Sequence, residues 1–541
     1  MFSRKIYFLT LAGMMSLVAC KKTDLVPNTS QNQSITLQAL SVNQLNEVIK
    51  KQLTSTHQSF DWNKASDDEL WSGIKNSQDG NLLVGYKPSN ISITQANDLV
   101  VKGDIQSSAW KDAHNQIIQL ILETERQLNP EIKIEDIISF DNEAYAVFSA
   151  KVNNPAVIRK IRMSPFYKYA ESTYEPKAEA DINSRNPSGQ EVGCAGGYQA
   201  NPDIRLGMHY DKINTTSQSL MSWNYKYHKI KDAWATAFTG KGIGVMVFDT
   251  GLNPNQSLLV SKFNSGLITG RTRGNVSFLK NSAGTLLPSA DECGHGTSLS
   301  GVVGAPRIDN LASTAGVAYG CNLLVARVTY DVYIDSAEEI NAVAAGFDAF
   351  AQNNSMRIAS MSLGRVGNNT LIANAIQRAY NTGRKLIFVA SGTAPFLVSG
   401  SGSAVGQDEL VFPANMGTPT IAVSGIATDY LRCEQCVVGN QTDFVVVMEK
   451  VLAGTAEVKV HPLGTANSSS TQPNNIGGSS VATATMAGMA AIVWSKFPNE
   501  SAISIFFRLQ KAADKYRNGI SKPNPYGWGI VDVSKALTQP L

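Results

Sequence analysis

A chain of 541 residues is longer than one hydrophobic core ordinarily organises, so two or three folded units are expected. With 43% hydrophobic and 17% charged residues the composition is that of an ordinary globular protein. The net charge of +3 is nearly neutral for this length and argues against a nucleic-acid or acidic-surface partner.

Residues 1–20 read as a targeting segment. Arg4 and Lys5 make a basic start, and Ile6 to Ala19 is apolar but shorter than the ~20 residues needed to span a bilayer. Leu17-Val18-Ala19-Cys20 has the form of a bacterial lipobox, where processing leaves Cys20 as a lipid-modified N-terminus; the alternative is a plain secretory signal with an incidental cysteine. Either reading takes the chain out of the cytoplasm, and the first places it in the cell envelope, held to the membrane by its lipid. Residues 21–91 comprise a polar tether, Lys21 to Gln33, and a stretch whose one feature is an amphipathic segment near Val42 to Leu53.

Residues 92–175 show a small α+β pattern. Leu99-Val100-Val101 is expected as a short strand and Trp110 to Leu128 as a helix burying Ala113, Ile117, Leu120 and Ile121. Ile132 to Phe140 and Glu143 to Val152 are expected as strands, Val157, Ile158 and Ile161 as one face of a short helix, and Phe166 to Glu171 as a last strand. That order is the split βαβ, or ferredoxin-like, arrangement. Residues 176–215 are rich in Pro, Asn, Ser and Gly and read as a linker open to processing.

Six cysteines less Cys20 leave an odd number, so at least one thiol should stay free. Cys433-Glu-Gln-Cys436 has no second CxxC with which to build a zinc site; in an oxidising compartment it reads as a local disulfide, with metal or redox use as the alternative. Cys293 is either a wall of the site described next or a disulfide partner of Cys321, and the sequence does not choose.

Residues 216–541 alternate apolar strands with amphipathic helices, the pattern of an α/β doubly wound parallel sheet. Gly242 to Phe248, Asn322 to Thr329, Arg357 to Leu363, Lys385 to Ala390 and Thr420 to Ser424 are the expected strands, and Ala337 to Asn353 is a helix opened by a capping box. Sites in such sheets form at the carboxyl ends of strands, where Asp249 falls. His295 stands in Gly294-His295-Gly296-Thr297 before a small-residue helix. Ser480 stands in Gly477-Gly478-Ser479-Ser480, ahead of an apolar run from Val481 to Trp494, which puts it on the first turn of a buried helix. There the free backbone N–H groups and the dipole favour an anion such as the oxyanion formed when a serine attacks a carbonyl.

The order Asp249, His295, Ser480 and the three motifs around them resemble the subtilisin-like serine proteases, over about Trp223 to Leu541. The resemblance implies a serine endopeptidase acting on protein or peptide substrates. Ser480 is its nucleophile, His295 its general base and acid, and Asp249 the group that holds the imidazole. It implies a substrate-pairing edge at Ser362, Leu363 and Gly364, further substrate contacts at Ser391 and Gly392, and specificity loops at Asp331 to Ile334 and Arg365 to Asn369. The run from Glu143 to Pro176 resembles the later half of the family's inhibitory propeptide, so the chain's own propeptide, residues 92–175, is an expected partner and the protein an expected zymogen.

Three positions depart from the family pattern. Ala484 replaces a helix proline and Ser298 a second histidine, neither of chemical consequence. Thr393 replaces the asparagine that donates to the oxyanion, leaving a shorter donor beside the Ser480 N–H. A second reading follows from it: a catalytically silent scaffold of the same fold that binds peptides in the envelope. No cofactor is required by this chemistry and no metal ligand set is evident; calcium sites occur in the family, but no carboxylate cluster marks one here.

Overall fold

The computed structural model describes residues 37–176, 194, 198–393, 409–451, 459–519, 522 and 524–541. The signal segment with Cys20, the tether, and half of the expected processing region lie outside the described residues. Among the described residues no helix is long and apolar enough to cross a membrane.

The N-terminal domain begins earlier than its sequence pattern suggested. Helices α1 (Val42–Thr56) and α2 (Asp67–Asn76) each open with a capping box, and α1 buries Leu45, Ile49 and Leu53. They lead into strand β1 (Asn81–Tyr86), which is buried at every residue. Leu99-Val100-Val101 is not a strand. It ends helix α3 (Ile93–Lys102), which Ser92 and Gln95 cap at one end and Gly103, left-handed at φ 80°, closes at the other. Those caps outweigh the β-preference of two adjacent valines.

After α4 (Ser108–Glu125) come β2 (Ile138–Asn142), β3 (Val147–Lys151), α5 (Ala156–Met163) and β4 (Tyr167–Ser172). The expected strand Ile132 to Phe140 starts as a helical turn, Ile134–Ile137, and becomes strand only at Ile138. The sheet runs β2-β3-β1-β4, all antiparallel, which is the expected split βαβ order. Its central strand comes from the stretch to which the sequence assigned no role.

The second sheet has the order β12-β11-β10-β9-β8-β5-β7-β6. Its strands are β5 (Gly244–Asp249), β6 (Arg273–Ser277), β7 (Asn322–Arg327), β8 (Met356–Met361), β9 (Leu386–Ala390), β10 (Ile421–Ala427), β11 (Phe444–Val451) and β12 (Lys459–Val460). The first seven pair in parallel and β12 is an antiparallel edge. Strand β6, at the opposite edge and half exposed, escaped the sequence reading because Arg-Gly-Asn-Val-Ser lacks an apolar run.

Helices α6 (His295–Gly304) and α9 (Gly478–Lys496) pack together on one face of this sheet. Helices α7 (Ala337–Gln352) and α8 (Thr370–Asn381) pack together on the other. The N-terminal domain shares one apolar cluster with α7 and α8, including Phe148, Tyr145, Phe347, Ile372 and Ile376. Polar contacts fix that union. Asp79 accepts from Ala337 N at the start of α7, and Glu171 accepts from Thr370 N and Oγ1 at the start of α8. Arg378 donates to the carbonyls of Val100 and Ala144.

Candidate active site

Asp249 ends the central strand β5, whose six residues are all buried. His295 is the first residue of α6, after Gly294, whose φ of 99° is a conformation that side-chain-bearing residues resist. Ser480 lies on the first turn of α9, after Gly478 at φ 77°. A Cβ at position 478 would sit 2.7 Å from Thr393 Oγ1, so the glycine also admits a close neighbour.

His295 Nδ1 lies 2.7 Å from Asp249 Oδ1, with side-chain exposures of 4% and 0%. A carboxylate accepts, so Nδ1 carries the hydrogen, and Nε2 of the neutral ring is left with a lone pair. Burial opposes the imidazolium, but the charge and hydrogen bond of Asp249, helped by Asp291 and Asp331, outweigh it and raise the His295 pKa above the ordinary imidazole value. The ring of Tyr198 meets that of His295 edge-on at a centroid distance of 5.6 Å.

Asp291 is the site residue that sequence reasoning missed. Its Oδ1 accepts from Thr250 Oγ1, Cys293 N and Gly294 N, and its Oδ2 from Thr297 N and Oγ1. Thr250 Oγ1 in turn accepts from Gly296 N at 3.0 Å. This network bolts the aspartate loop to the histidine helix. The available signal was an acidic residue four positions before a histidine that opens a helix, a place where a carboxylate can cap exposed N–H groups.

Ser480 is part exposed, and its carbonyl accepts from Ser362 Oγ at 3.0 Å. Among the described residues its own hydroxyl makes no hydrogen bond, so the contact with His295 is not formed in this state; such contacts often tighten only when substrate binds. Ser479 Oγ accepts from Gly392 N at 3.2 Å and lies 3.3 Å from Thr393 Oγ1. Thr393 therefore borders the start of the Ser480 helix, with its hydroxyl beside Ser479.

Ser391 is fully buried, its N–H donated to Val423 and its carbonyl accepting from Val411, so its backbone is committed to neighbouring segments. Gly392 follows at φ 121°. Leu363 is buried, and the Gly364 backbone pairs with the loop opposite: its N–H donates to Val332 and its carbonyl accepts from Ile334. Of the edge expected to receive substrate, Gly364 is thus already paired with residues 332–334.

Cys433 and Cys436 form the expected local disulfide. Cys293 pairs with Cys194, not Cys321, which is the free buried thiol. That bond ties the linker to the loop two residues before His295. Cys194, Cys293 and Asp331 are the one grouping with metal-ligand spacing among the described residues, and both sulfurs are spent in the disulfide.

A parallel sheet carrying an Asp–His pair at its carboxyl rim, beside a helix that opens on serine, has the parts of a serine hydrolase. The family model for the subtilase peptidases matches residues 240–529, just over half the chain, and the chain belongs to that family. Subtilisin DY of Bacillus licheniformis is 26% identical over 302 residues, covering 56% of this chain and 93% of its own. M-protease of Shouchella clausii is 27% identical over 325 residues, covering 60% of this chain and 72% of its own. Among solved structures, MycP1 from Mycobacterium smegmatis matches at 19% identity and a TM-score of 0.43, over 64% of this chain and 92% of its own. The protein is a serine endopeptidase of the subtilisin type, and the silent-scaffold reading is not favoured.

Proposed function

We propose that peptide hydrolysis proceeds through Ser480, His295 and Asp249 in a protein made as an exported, lipid-anchored zymogen. The observation that carries the assignment is the buried 2.7 Å contact between His295 Nδ1 and Asp249 Oδ1, on a helix packed against the one that bears Ser480. With Nδ1–H held by Asp249, Nε2 takes the Ser480 proton as Oγ attacks the scissile carbonyl. The Ser480 N–H and the Thr393 hydroxyl receive the oxyanion. His295 returns the proton to the leaving amine, and water then opens the acyl-enzyme by the same route.

The N-terminal domain is read as the propeptide. Its support is the way Asp79 and Glu171 cap α7 and α8 and the way its core is continuous with theirs. Cleavage is placed within residues 176–215, and anchoring at Cys20. A fluorophosphonate probe tests the assignment: Ser480 should be labelled and Ser480→Ala should not. The Ser480→Ala chain should also persist as full-length precursor while the parent is processed. Processing of that variant at the same place would overturn self-cleavage, and an unlabelled parent would overturn the triad.

A further inference from the structure

On the proteolytic reading above, we propose that Arg365, with the backbone N–H groups of Val366 and Gly367, forms a substrate subsite for a carboxylate side chain, and that Glu175 occupies it in the precursor. Arg365 is 0% exposed, and its Nε and Nη2 approach Glu175 Oε1 at 3.0 and 2.9 Å. Val366 N donates to Glu175 Oε2 at 2.6 Å and Gly367 N to Oε1 at 3.3 Å. Four donors converge on one carboxylate, a match in both charge and geometry.

Three observations make this more than a domain clamp. First, the pocket continues the strand edge that leads away from the serine: Ser362 holds the Ser480 carbonyl, and Arg365 to Gly367 follow within five residues. At ~3.3 Å per residue, a side chain bound there belongs to a substrate position some three to five residues from the scissile bond. Second, Glu175 lies immediately before the proposed processing region, so the occupant approaches from the N-terminal side of the bond to be cut. Third, the contacts made to Glu175's pocket by Phe60, Trp62 and Ser172 come from the N-terminal domain. Phe60 pairs with the 366–368 segment, donating to Val366 O and accepting from Asn368 N. Trp62 packs so closely on Gly367 that a Cβ there would lie 2.8 Å from its Nε1. Nη2 of Arg365 also reaches Ser172 O at 3.3 Å, while Nη1 has no partner among the described residues. When that domain leaves, a guanidinium and two amides lose their anion together. Their donors are then open to solvent and ready for a substrate carboxylate, which restores the pairing.

The test uses the full chain and matched peptides that carry Glu or Gln at each position three to six residues N-terminal to the cleaved bond. At one of these positions the parent should prefer Glu by roughly tenfold or more in kcat/KM. Arg365→Gln should bring that ratio to about one. The charge-swapped double variant Glu175→Lys with Arg365→Glu keeps an opposite-charge pair between the two positions, although Val366 N and Gly367 N lose their acceptor, and it should prefer Lys peptides over Glu peptides, a gain that a misfolded variant would not show. A parent labelled at Ser480 that shows no Glu preference at any of these positions, or a preference unchanged in both variants, overturns the subsite alone. A parent that is not labelled overturns the subsite together with the proteolytic reading.

Discussion

At the scale of single residues the site is a balance between burial and charge. His295 is buried deeply enough to disfavour an imidazolium, yet Asp249 pulls its pKa above the ordinary value. The sign for catalysis follows directly. In the proposed triad His295 is the base and must be neutral, so kcat/KM should rise with pH through a midpoint above ~6.5. Asp249→Asn removes the charge and the hydrogen bond. It should lower kcat on the order of 10⁴-fold, through the wrong tautomer, and move the midpoint to lower pH. A pH–rate profile of both proteins checks this; an unchanged midpoint in the variant would separate Asp249 from the titrating group. The Asp249–His295 pair was legible because chemistry fixes the types of its two residues, and the fold brings them within 2.7 Å. Asp291 was not, because its contribution is five hydrogen bonds to loops that only the fold brings together. Nor does the sequence say that Cys293 pairs with Cys194, since the proximity of distant loops cannot be read from spacing.

At the scale of elements, the serine depends on how its helix begins. Gly478 turns the chain at φ 77° and leaves Thr393 Oγ1 within 2.7 Å of where a Cβ would stand. Gly478→Ala therefore carries two penalties, roughly 1–2 kcal/mol for the left-handed backbone and a displacement of Thr393 or of the first turn of α9. If Thr393 and the Ser480 N–H receive the oxyanion as proposed, the expected result is a fall in kcat of tenfold or more, in line with losing part of a donor's contribution, alongside a modest drop in Tm. Steady-state kinetics and a thermal melt on the same preparation decide it. A Tm loss with full activity would mean that the serine tolerates a shifted helix start. The helix itself was plain in the sequence, as was α7 with its Ser336–Glu339 capping box. The strand expected at Leu99 was not real, because short apolar runs are ambiguous until caps are weighed, and Ser92, Gln95 and Gly103 supply caps at both ends. The strand β1 inside Asn-Leu-Leu-Val-Gly-Tyr went unrecognised for the converse reason: nothing local announces that Asn81 pairs with Lys151, 70 residues further on, and Leu82 with Ser172, 90 residues further on.

At the scale of the molecule, the parallel sheet and its order of motifs were legible, whereas the union of the two domains was not. That union is a single apolar cluster running from α1 to α8, and residues from Leu37 onward behave as one unit. The far end of the chain is closed by a different device, the buried His228. Its Nδ1 lies 3.0 Å from the Val531 carbonyl, and Val447 N donates to its Nε2 at 3.1 Å. The ring is one donor and one acceptor, and therefore neutral, and it joins the C-terminal segment to strand β11. Burial lowers its pKa to about 4, only partly offset by the Val531 carbonyl, Asp514 and Asp532. Unfolded histidine titrates near 6.5, so between these values the unfolded chain binds more protons and acid favours unfolding. The stability that His228 contributes is full above pH ~6.5 and falls away as pH drops toward about 4, a loss on the order of 3 kcal/mol. Protonation would also set a second N–H against the Val447 N–H. His228→Gln can keep one donor and one acceptor without a charge to gain. Its Tm should be lower than the parent's at pH 7 but should decline less between pH 7 and 4.5. Parallel slopes for the two proteins over that range would assign the acid sensitivity to other groups and leave His228 as packing alone.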